Sequence, residues 1–413
     1  MPAAPHRPAA AAFVSRNWRA LLFGGLHTFC SAPGQTIVVG LFIPSFSASF
    51  GLSAAEVGGL YLLANLASAA TLLAIGHFID VVPLRQFSAA TIAGLAAGCM
   101  VLALAPHPAV LAFGFYLLRL SGQGLMVHIE ATATARAFTA DRGRALGITG
   151  LGLPLADALV PITVAAAIVA FGWRGTYEGI ALVLVATVLP TAWWLARRMP
   201  ADPRRATQSG GHLARLIGAL GILARSRYVW AALPAFALLP FMLTGILFYA
   251  ASIAEARGWP GGLIAASYPV MAISHVAALF LSGSLIDRFS GRILFALHPW
   301  PLLLGMAVLA FLSAPSAVPV ALALIGISGG IAKTTGTAIW AELFGTANLG
   351  AMRSFVAMYS SLATATAPFT WGLLVDHGWE WRAILALFIG LGALAALPIA
   401  LVELKLGRAR WLS

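Results

Sequence analysis

Long apolar runs alternate with short polar segments along the whole chain. Each run is about 20 residues long, the length of helix that crosses the hydrocarbon core of a bilayer. The polar segments between the runs contain Gly, Pro and charged residues, which end helices. The pattern predicts twelve membrane-spanning helices, near residues 20–45, 55–79, 87–106, 108–136, 144–170, 176–197, 229–253, 262–286, 293–313, 316–341, 349–375 and 382–403.

Composition agrees with this pattern. Of 413 residues, 60% are hydrophobic and only 9% are charged, as in membrane proteins with many spans. A net charge of +12 also suits nucleic-acid binding, but the basic residues are scattered between apolar runs, so membrane topology explains them better. Cys30 and Cys99 both fall inside apolar runs, and no disulfide framework is predicted.

The basic residues are distributed unevenly about the predicted spans. Of the 25 Lys and Arg residues, 20 fall in the amino-terminal arm, the even-numbered loops and the carboxy-terminal tail. Basic loops remain in the cytoplasm, so we expect both termini there, in a multi-pass protein of the inner (plasma) membrane. Five residues depart from this distribution: Arg174, Arg257 and Arg382 in the opposite loops, and Arg119 and Lys333 inside spans.

The pattern divides the chain into two halves joined by a basic segment. We predict a disordered cytoplasmic arm, a first six-helix half, a basic cytoplasmic linker, a second six-helix half and a cytoplasmic tail, at residues 1–18, 19–198, 199–228, 229–404 and 405–413. A cleaved signal peptide is the alternative for the start, but the first apolar run is too long for a signal h-region. Nothing in the sequence requires a dimer, and we expect a monomer.

Short charged motifs recur in the two halves at spacings that agree to within one residue. Asp80 in GHFIDVVPLR and Asp287 in GSLIDRFSGR are 207 residues apart, and the Trp-Arg pairs at 173–174 and 381–382 are 208 apart. A shared spacing indicates internal duplication, which is a known design of membrane transporters.

The second of these motifs carries a family resemblance. It is similar to G-x-x-x-D-R-x-G-R, the loop signature between helices two and three of the major facilitator superfamily, at Gly283, Asp287, Arg288, Gly291 and Arg292. The resemblance implies an all-α membrane protein with two pseudo-symmetric six-helix halves that rock against each other. It also implies a coupling or gating role for the charged loop residues, which are Asp80, Asp287, Arg288 and Arg292.

Ionisable side chains inside spans are costly, which makes them candidate functional residues. They are His27, Arg119, His128, Glu130, Asp157, His275, Lys333 and Glu342. We expect Glu342 to anchor a loop, and Asp157 to bond backbone freed by nearby prolines. Arg119, in LLRLSGQG, resembles the fourth-helix motif of the superfamily, whose arginine is linked to proton coupling. Bracing of the bundle is the alternative role for Arg119.

A central cavity lined by spans 1, 4, 7 and 10 is implied by the same resemblance. With the 207-residue spacing, it predicts a substrate cavity lined by Gln35, Met126, His128, Glu130, Met242 and Lys333. Lys333 needs a partner inside the membrane, and Glu130 is the one we predict. Three roles for this pair stay open: a proton-sensitive gate, a receptor for an anionic substrate, and a permanent structural ion pair.

Sulfur and imidazole groups also occur together. Met271 and His275 are four residues apart in span 8 and therefore share a helix face. With Met242 they form a candidate metal site, because thioether and imidazole are ligands for Cu(I). Packing is the alternative role of the methionines.

Three segments, 119–138, 253–272 and 338–354, resemble the bacterial CcoA-like group, which includes copper importers and riboflavin transporters. The copper branch has Met-x-x-x-Met in span 7, where this chain has Met242 and Ile246. The resemblance implies proton-coupled secondary transport, with copper uptake as the leading substrate hypothesis. Riboflavin is an alternative, and so is a small organic anion, since 338–354 also resembles monocarboxylate and oxalate carriers.

The sequence lacks the motifs that are typical of other functional classes. No P-loop, HExxH or CxxC is present, so neither an enzyme nor an ATP-driven pump is expected, and no cofactor is implied. A receptor or scaffold is the alternative of another class, which solute uptake would distinguish from a transporter. The expected partners are a small-molecule or metal-ion substrate and the lipid bilayer, not nucleic acid.

Overall fold

The structure, a computed structural model, describes residues 10–197, 199, 226–344 and 349–411. Throughout these ranges the secondary structure is helical, without β-strands. We call the end of the bundle where the first helix begins and the last helix ends the terminal end, and the opposite end the far end.

Six spans form the first half. Their helices are Ala10–Cys30, Thr36–Val39 and Ile43–Phe50 (span 1), Ala54–Ile75 (span 2), Leu84–Ala103 (span 3), Pro108–Leu118 and Val127–Ala137 (span 4), and Arg142–Gly150, Gly152–Val183 and Leu189–Ala196 (spans 5 and 6). Spans 5 and 6 are separated at Gly172, where a φ of 69° turns the chain. Glycine adopts this backbone conformation without steric cost.

Six further spans form the second half. Their helices are Arg227–Ala256 (span 7), Leu263–Phe289 (span 8), Gly291–Leu297 and Pro299–Phe311 (span 9), Ala317–Phe344 (span 10), Leu349–Asp376 (span 11) and Trp381–Trp411 (span 12). Within the described ranges, ten stretches are long and apolar enough to cross a membrane. One of these, Arg142–Ala196, contains both spans 5 and 6. The predicted all-α membrane fold is confirmed.

The first helix begins inside the arm that we predicted to be disordered. It starts at Ala10, and Phe13 is only 3% exposed. The Phe13 ring lies 5.6 Å from that of Phe138, and the Arg144 guanidinium lies 4.6 Å from its centre. Contacts with the ends of spans 4 and 5 therefore order this segment.

The other predicted connections are described only in part. The last helix runs through the predicted tail to Trp411. Most of the predicted linker, at 200–225, lies outside the described residues, as do residues 1–9.

The three arginines predicted in the opposite loops share a structural role. Arg174 donates to the Ala105 oxygen at 2.7 Å, just past the end of span 3. Arg257 donates to the Leu309 and Ala310 oxygens near the end of span 9, at 2.9 and 2.6 Å. A cation is stabilised at the carboxyl end of a helix. The Arg382 guanidinium lies by the same end of span 9, 5.3 Å from the centre of the Phe311 ring.

Candidate functional site

A cavity of about 450 Å³ lies among spans 7 to 11, with one wall from span 5. Its lining is mainly apolar and includes Leu239, Leu243, Leu302 and Ile325. A smaller cavity of about 150 Å³ adjoins it at the boundary between the halves. Asp157, Leu243, Leu247 and Met271 line both spaces. We call the larger space the main cavity.

Glycines bring spans 8 and 10 into direct contact beside the main cavity. A Cβ atom at Gly326 would lie 2.3 Å from the Met271 oxygen, and one at Gly330 would lie 2.3 Å from the His275 oxygen. Two glycines four residues apart allow membrane helices to approach this closely. A Cβ atom at Gly329 would lie 2.9 Å from His275 Nδ1, so the imidazole occupies the space that this glycine leaves.

Lys333 follows Gly329 by one helical turn and lines the main cavity. Among the described residues, its ammonium forms no ion pair within 4 Å and no hydrogen bond. Its charge is within electrostatic reach of Glu130, Asp157 and His275. The main cavity thus contains a cation without a direct partner in the described part of the chain.

Glu130, the partner that we predicted for Lys333, bonds within its own half. Its side chain is 6% exposed and accepts a hydrogen bond from the Thr149 hydroxyl of span 5. Thr28 of span 1 donates in turn to the Thr149 backbone oxygen at 2.8 Å. The predicted ion pair is not formed, because Glu130 belongs to a polar contact among spans 1, 4 and 5.

Asp157 has a different position from the one that we predicted. It lines both cavities, and no hydrogen bond joins it to backbone freed by a proline in the described structure. Tyr268 of span 8 is fully buried close to Asp157, and its hydroxyl has no hydrogen-bond partner among the described residues. A carboxyl group of the first half and an ammonium of the second half therefore share the wall of one cavity.

The contacts of Arg119 in the described part of the chain are all with uncharged groups. Its Nε donates to Asn65 Oδ1 at 2.5 Å, and its Nη1 donates to the Gly34 oxygen at 3.1 Å. The Thr36 hydroxyl is a further acceptor at 3.3 Å, and the Tyr61 ring centre lies 5.2 Å from the guanidinium. These contacts join spans 1, 2 and 4, so Arg119 braces the first half. A role in proton coupling stays a prediction.

The acceptor at Gly34 is available because span 1 is interrupted there. Gln35 has an extended backbone, with φ −84° and ψ 144°. Opposite the interruption, span 4 contains a π-helical turn at Arg119–Met126, a feature frequent at functional sites. A Cβ atom at Gly34 would lie 2.2 Å from the Leu118 oxygen, so the two irregular segments touch through their backbones.

Comparison with known proteins identifies this architecture. A family model described as Major Facilitator Superfamily matches residues 25–316. The chain belongs to the major facilitator superfamily. It is a multi-pass membrane transporter of small solutes, as the family membership indicates.

Solved structures show the same superfamily fold. The nucleoside transporter NupG is similar with a TM-score of 0.72 and 12% identity, over 93% of this chain and 98% of that one. The D323A mutant of NupG is similar with a TM-score of 0.74 and 13% identity, over 92% of this chain and 98% of that one. A bacterial homolog of the human lysosomal transporter Spinster is similar with a TM-score of 0.62 and 16% identity, over 93% of this chain and 91% of that one. That structure is in an inward-facing and unoccupied conformation. A comparison with curated proteins finds no match.

Besides Glu130, three residues that the superfamily resemblance placed in the cavity lie elsewhere. Met126 is fully buried, and His128 Nε2 lies 3.1 Å from the Gly76 oxygen at the end of span 2. Met242 is also fully buried, with its sulfur against Gly392 of span 12. None of the three lines either cavity, whereas Lys333 lines the main cavity and Gln35 the smaller one.

The predicted metal site is only partly assembled. Met271 and His275 both line the main cavity, but Met242 lies away from it against span 12. The positive charge of Lys333 close to His275 also opposes binding of a cation. In the part of the chain that the structure describes, no group of three or more His, Cys, Asp or Glu residues is placed to hold a metal ion.

The superfamily loop motif of the first half joins two helix ends of that half. Asp80 forms an ion pair with Arg136 at the end of span 4. The side chain of its counterpart, Asp287, lies outside the described part of the structure. The structure therefore shows the contact of one of the two motif aspartates.

The loop motif of the second half also makes contacts inside its own half. Arg292 forms an ion pair with Glu403 of span 12 at 2.9 Å. The Gly291 N–H donates to Glu342 at 2.7 Å, as expected for a loop anchor. Arg288 is exposed. A coupling or gating role for these loop residues stays a prediction.

Proposed function

We propose that this superfamily member is a secondary active transporter of a small organic anion, and that Lys333 binds the anionic group. The observation that carries the proposal is the ammonium of Lys333 in a mainly apolar cavity, without a bonded partner in the described structure. A cation inside a membrane protein is costly unless it is paired. An anionic substrate would supply the missing partner.

The dimensions of the main cavity support a small organic molecule. Its volume of about 450 Å³ is within the range of small-molecule sites. Such sites combine apolar walls with a few polar groups that orient the ligand. The leucine-rich wall suits a short hydrocarbon body, so we favour a monocarboxylate-like solute.

Asp157 is our candidate for proton coupling. An ionised Asp157 would repel an anion bound in the same cavity, whereas a protonated one would not. Binding of the anion therefore favours uptake of a proton by Asp157, and the two would cross the membrane together. This assignment replaces Arg119 and the Glu130–Lys333 pair as the proposed coupling groups, because those residues bond inside their own halves or lack the predicted contact.

The proposed cycle is alternating access by two rocking halves, 19–198 and 229–404, in a monomer. The excess of Lys and Arg in the arm, the even-numbered loops and the tail supports cytoplasmic termini in an inner (plasma) membrane. With that orientation the terminal end faces the cytoplasm and the far end faces the outside.

Cu(I) is the second candidate substrate, because Met271 and His275 share the main cavity. The charge of Lys333 and the position of Met242 weigh against it. Riboflavin, the other solute of the group that the sequence resembles, carries no anionic group for Lys333 to bind. The organic anion is therefore our main proposal.

A binding panel on purified protein tests the proposal. Carboxylates of increasing chain length, riboflavin and Cu(I) would be titrated against wild type, Lys333→Met and Met271→Ala/His275→Ala. Lys405→Met is the matched control, since Lys405 is the other lysine of the chain. We expect a carboxylate to bind wild type and the control, with affinity lower by at least about 100-fold in Lys333→Met, because a desolvated charge contact is lost.

Two outcomes would contradict the organic-anion proposal. One is carboxylate binding that Lys333→Met leaves unchanged. The other is Cu(I) binding that only the Met271→Ala/His275→Ala variant loses, without carboxylate binding to wild type. Uptake into proteoliposomes then tests coupling: an inward proton gradient should stimulate anion uptake by wild type but not by Asp157→Asn.

A further inference from the structure

The two halves touch through their backbones at the far end. A Cβ atom at Gly58 of span 2 would lie 2.5 Å from the Pro368 oxygen of span 11. A Cβ atom at Gly372 would lie 2.5 Å from the backbone of Ala54. Helices of different halves approach this closely only where the side chain is absent. Spans 2 and 11 therefore close the far end of the bundle on one side.

A carboxylate crosses this contact. Asp376 is the last residue of span 11, and its Oδ1 accepts from the Ala54 N–H at 3.1 Å, its Oδ2 from the Ala55 N–H at 2.9 Å. These are the first two residues of span 2. The first N–H groups of a helix have no partner within the helix, and that end carries partial positive charge. An aspartate of the second half thus caps a helix of the first half.

The remaining N-terminal groups of span 2 are satisfied locally. Ser53 and Glu56 form a capping box, in which each side chain accepts from the backbone N–H of the other. The capping box leaves the N–H groups of Ala54 and Ala55 to Asp376. The helix start is therefore fully bonded only while the halves are together at the far end.

We propose that Asp376 is a latch that holds the far end closed, and that each transport cycle breaks and remakes its two hydrogen bonds. Alternating access requires the halves to separate at each end in turn. The bonds of Asp376 join the halves, so they cannot persist when the far end opens. Removal of the carboxylate should therefore shift the conformational equilibrium toward the form that is open at the far end.

Tyr249 of span 7 strengthens the same corner. Its hydroxyl lies 2.9 Å from the Ala54 oxygen and 2.7 Å from the Pro368 oxygen. The hydroxyl has a single proton, so it donates to one of these oxygens at a time. Either oxygen keeps span 7 attached to the contact between spans 2 and 11.

The latch is one-sided in the sequence. The internal spacing of 207 residues relates Asp376 to Val169 of span 5, and a valine side chain has no polar group. It relates Ala54 and Ala55 to Gly261 and Gly262, next to the start of span 8. The pseudo-equivalent contact between spans 5 and 8 therefore has no carboxylate at this position, and a single substitution tests the latch.

Spin labels on the two halves can measure the opening without a substrate. Leu104 and Leu312 follow the far ends of spans 3 and 9 and are 66% and 51% exposed. Spin labels at Leu104→Cys and Leu312→Cys would report the distance between the halves by pulsed electron paramagnetic resonance. Cys30→Ser and Cys99→Ala remove the native thiols that would otherwise take a label. Asp376→Asn removes one of the two acceptor oxygens and the negative charge at the start of span 2, so we expect it to raise the ratio of the long to the short distance about fivefold.

Two variants complete the test. Glu380→Gln removes a carboxylate from the same end, four residues later, that makes no side-chain hydrogen bond in the described structure, and it should leave the distances unchanged. Ala54→Pro deletes one donor at the first helical position, where proline fits, and should shift the distances as Asp376→Asn does. It also decides the question if the Asn variant fails to fold. Unchanged distances in a folded Asp376→Asn or Ala54→Pro variant would contradict the proposal that Asp376 is a latch. This result would not depend on which substrate the protein transports.

Discussion

Arg119 and Lys333, the two cations that the sequence predicts inside spans, have opposite surroundings in the structure. Arg119 of span 4 donates to the Gly34 oxygen, Thr36 and Asn65 and lies over Tyr61. Lys333 of span 10 has no such bond in the described structure and lines an apolar cavity. Both residues are charged and intramembrane, but in the described structure only Arg119 has hydrogen-bonded partners.

The internal spacing shows how the difference arises. Spans 4 and 10 are pseudo-equivalent, and a spacing of 207 residues relates Arg119 to Gly326 and Met126 to Lys333. Where the first half has an arginine that braces three spans, the second half has a glycine that brings span 8 against span 10. Two turns later, a buried methionine of the first half corresponds to the lysine of the cavity. Of the two duplicated helices, span 4 therefore stabilises the first half through Arg119, and span 10, in our proposal, binds the substrate through Lys333.

The largest effect that we expect comes from Arg119→Met. The substitution leaves the Gly34 oxygen and Asn65 without their donor inside the membrane, and should cost about 3 kcal/mol of unfolding free energy. Lys333→Met breaks no bond of the described structure and should change the stability by less than about 1 kcal/mol. Thermal unfolding of both variants, followed by tryptophan fluorescence, measures this contrast. Equal losses, or a larger loss in Lys333→Met, would reverse the roles that we assign.

A smaller loss is expected from Asn65→Ala. Asn65 Nδ2 donates to the Tyr61 oxygen at 2.8 Å, which fixes Oδ1 toward Arg119. Removing this one acceptor should cost about 1–2 kcal/mol, since the other acceptors of the guanidinium remain. Ser68→Ala is the control one turn away, because in the described structure the Ser68 hydroxyl bonds only within span 2. It should cost less than about 0.5 kcal/mol. The same cost for both would show that Arg119 does not depend on Asn65.

Most of the fold follows from the sequence because helix length and composition are set by the bilayer. Span 10 was predicted at 316–341 and is Ala317–Phe344, and the division of spans 5 and 6 falls at Gly172, between the predicted ranges. The start of the first helix was missed, because Phe13 is ordered by Phe138 and Arg144 and not by its neighbours in sequence. The interruption of span 1 and the π-helical turn of span 4 were also missed, since they arise where the two segments touch.

The cavity was harder to predict than the fold. Hydropathy shows that Glu130, Asp157 and Met242 lie inside spans, but lipid and protein interior select the same apolar residues, so it does not show which way each helix faces. Packing decides that Glu130 bonds to its own half, that Met242 faces span 12 and that Asp157 lines the cavity. The glycine pair 326 and 330 was a usable signal, since that spacing marks close helix contacts, and it places span 8 beside Lys333.

The smallest effect that we expect is that of Gly329→Ala. This variant tests whether His275 binds the anion together with Lys333. A Cβ atom there would lie 2.9 Å from His275 Nδ1, so the imidazole must shift within the main cavity beside Lys333. If the bound carboxylate contacts both side chains, its affinity should fall about threefold, a cost below that of one hydrogen bond. Gly336→Ala is the matched control seven residues later on the same cavity wall, since a Cβ atom there meets nothing within 4 Å. Equal affinities in the two variants would mean that Lys333 holds the anion without His275, whereas a loss only in Gly329→Ala would make the imidazole part of the binding site.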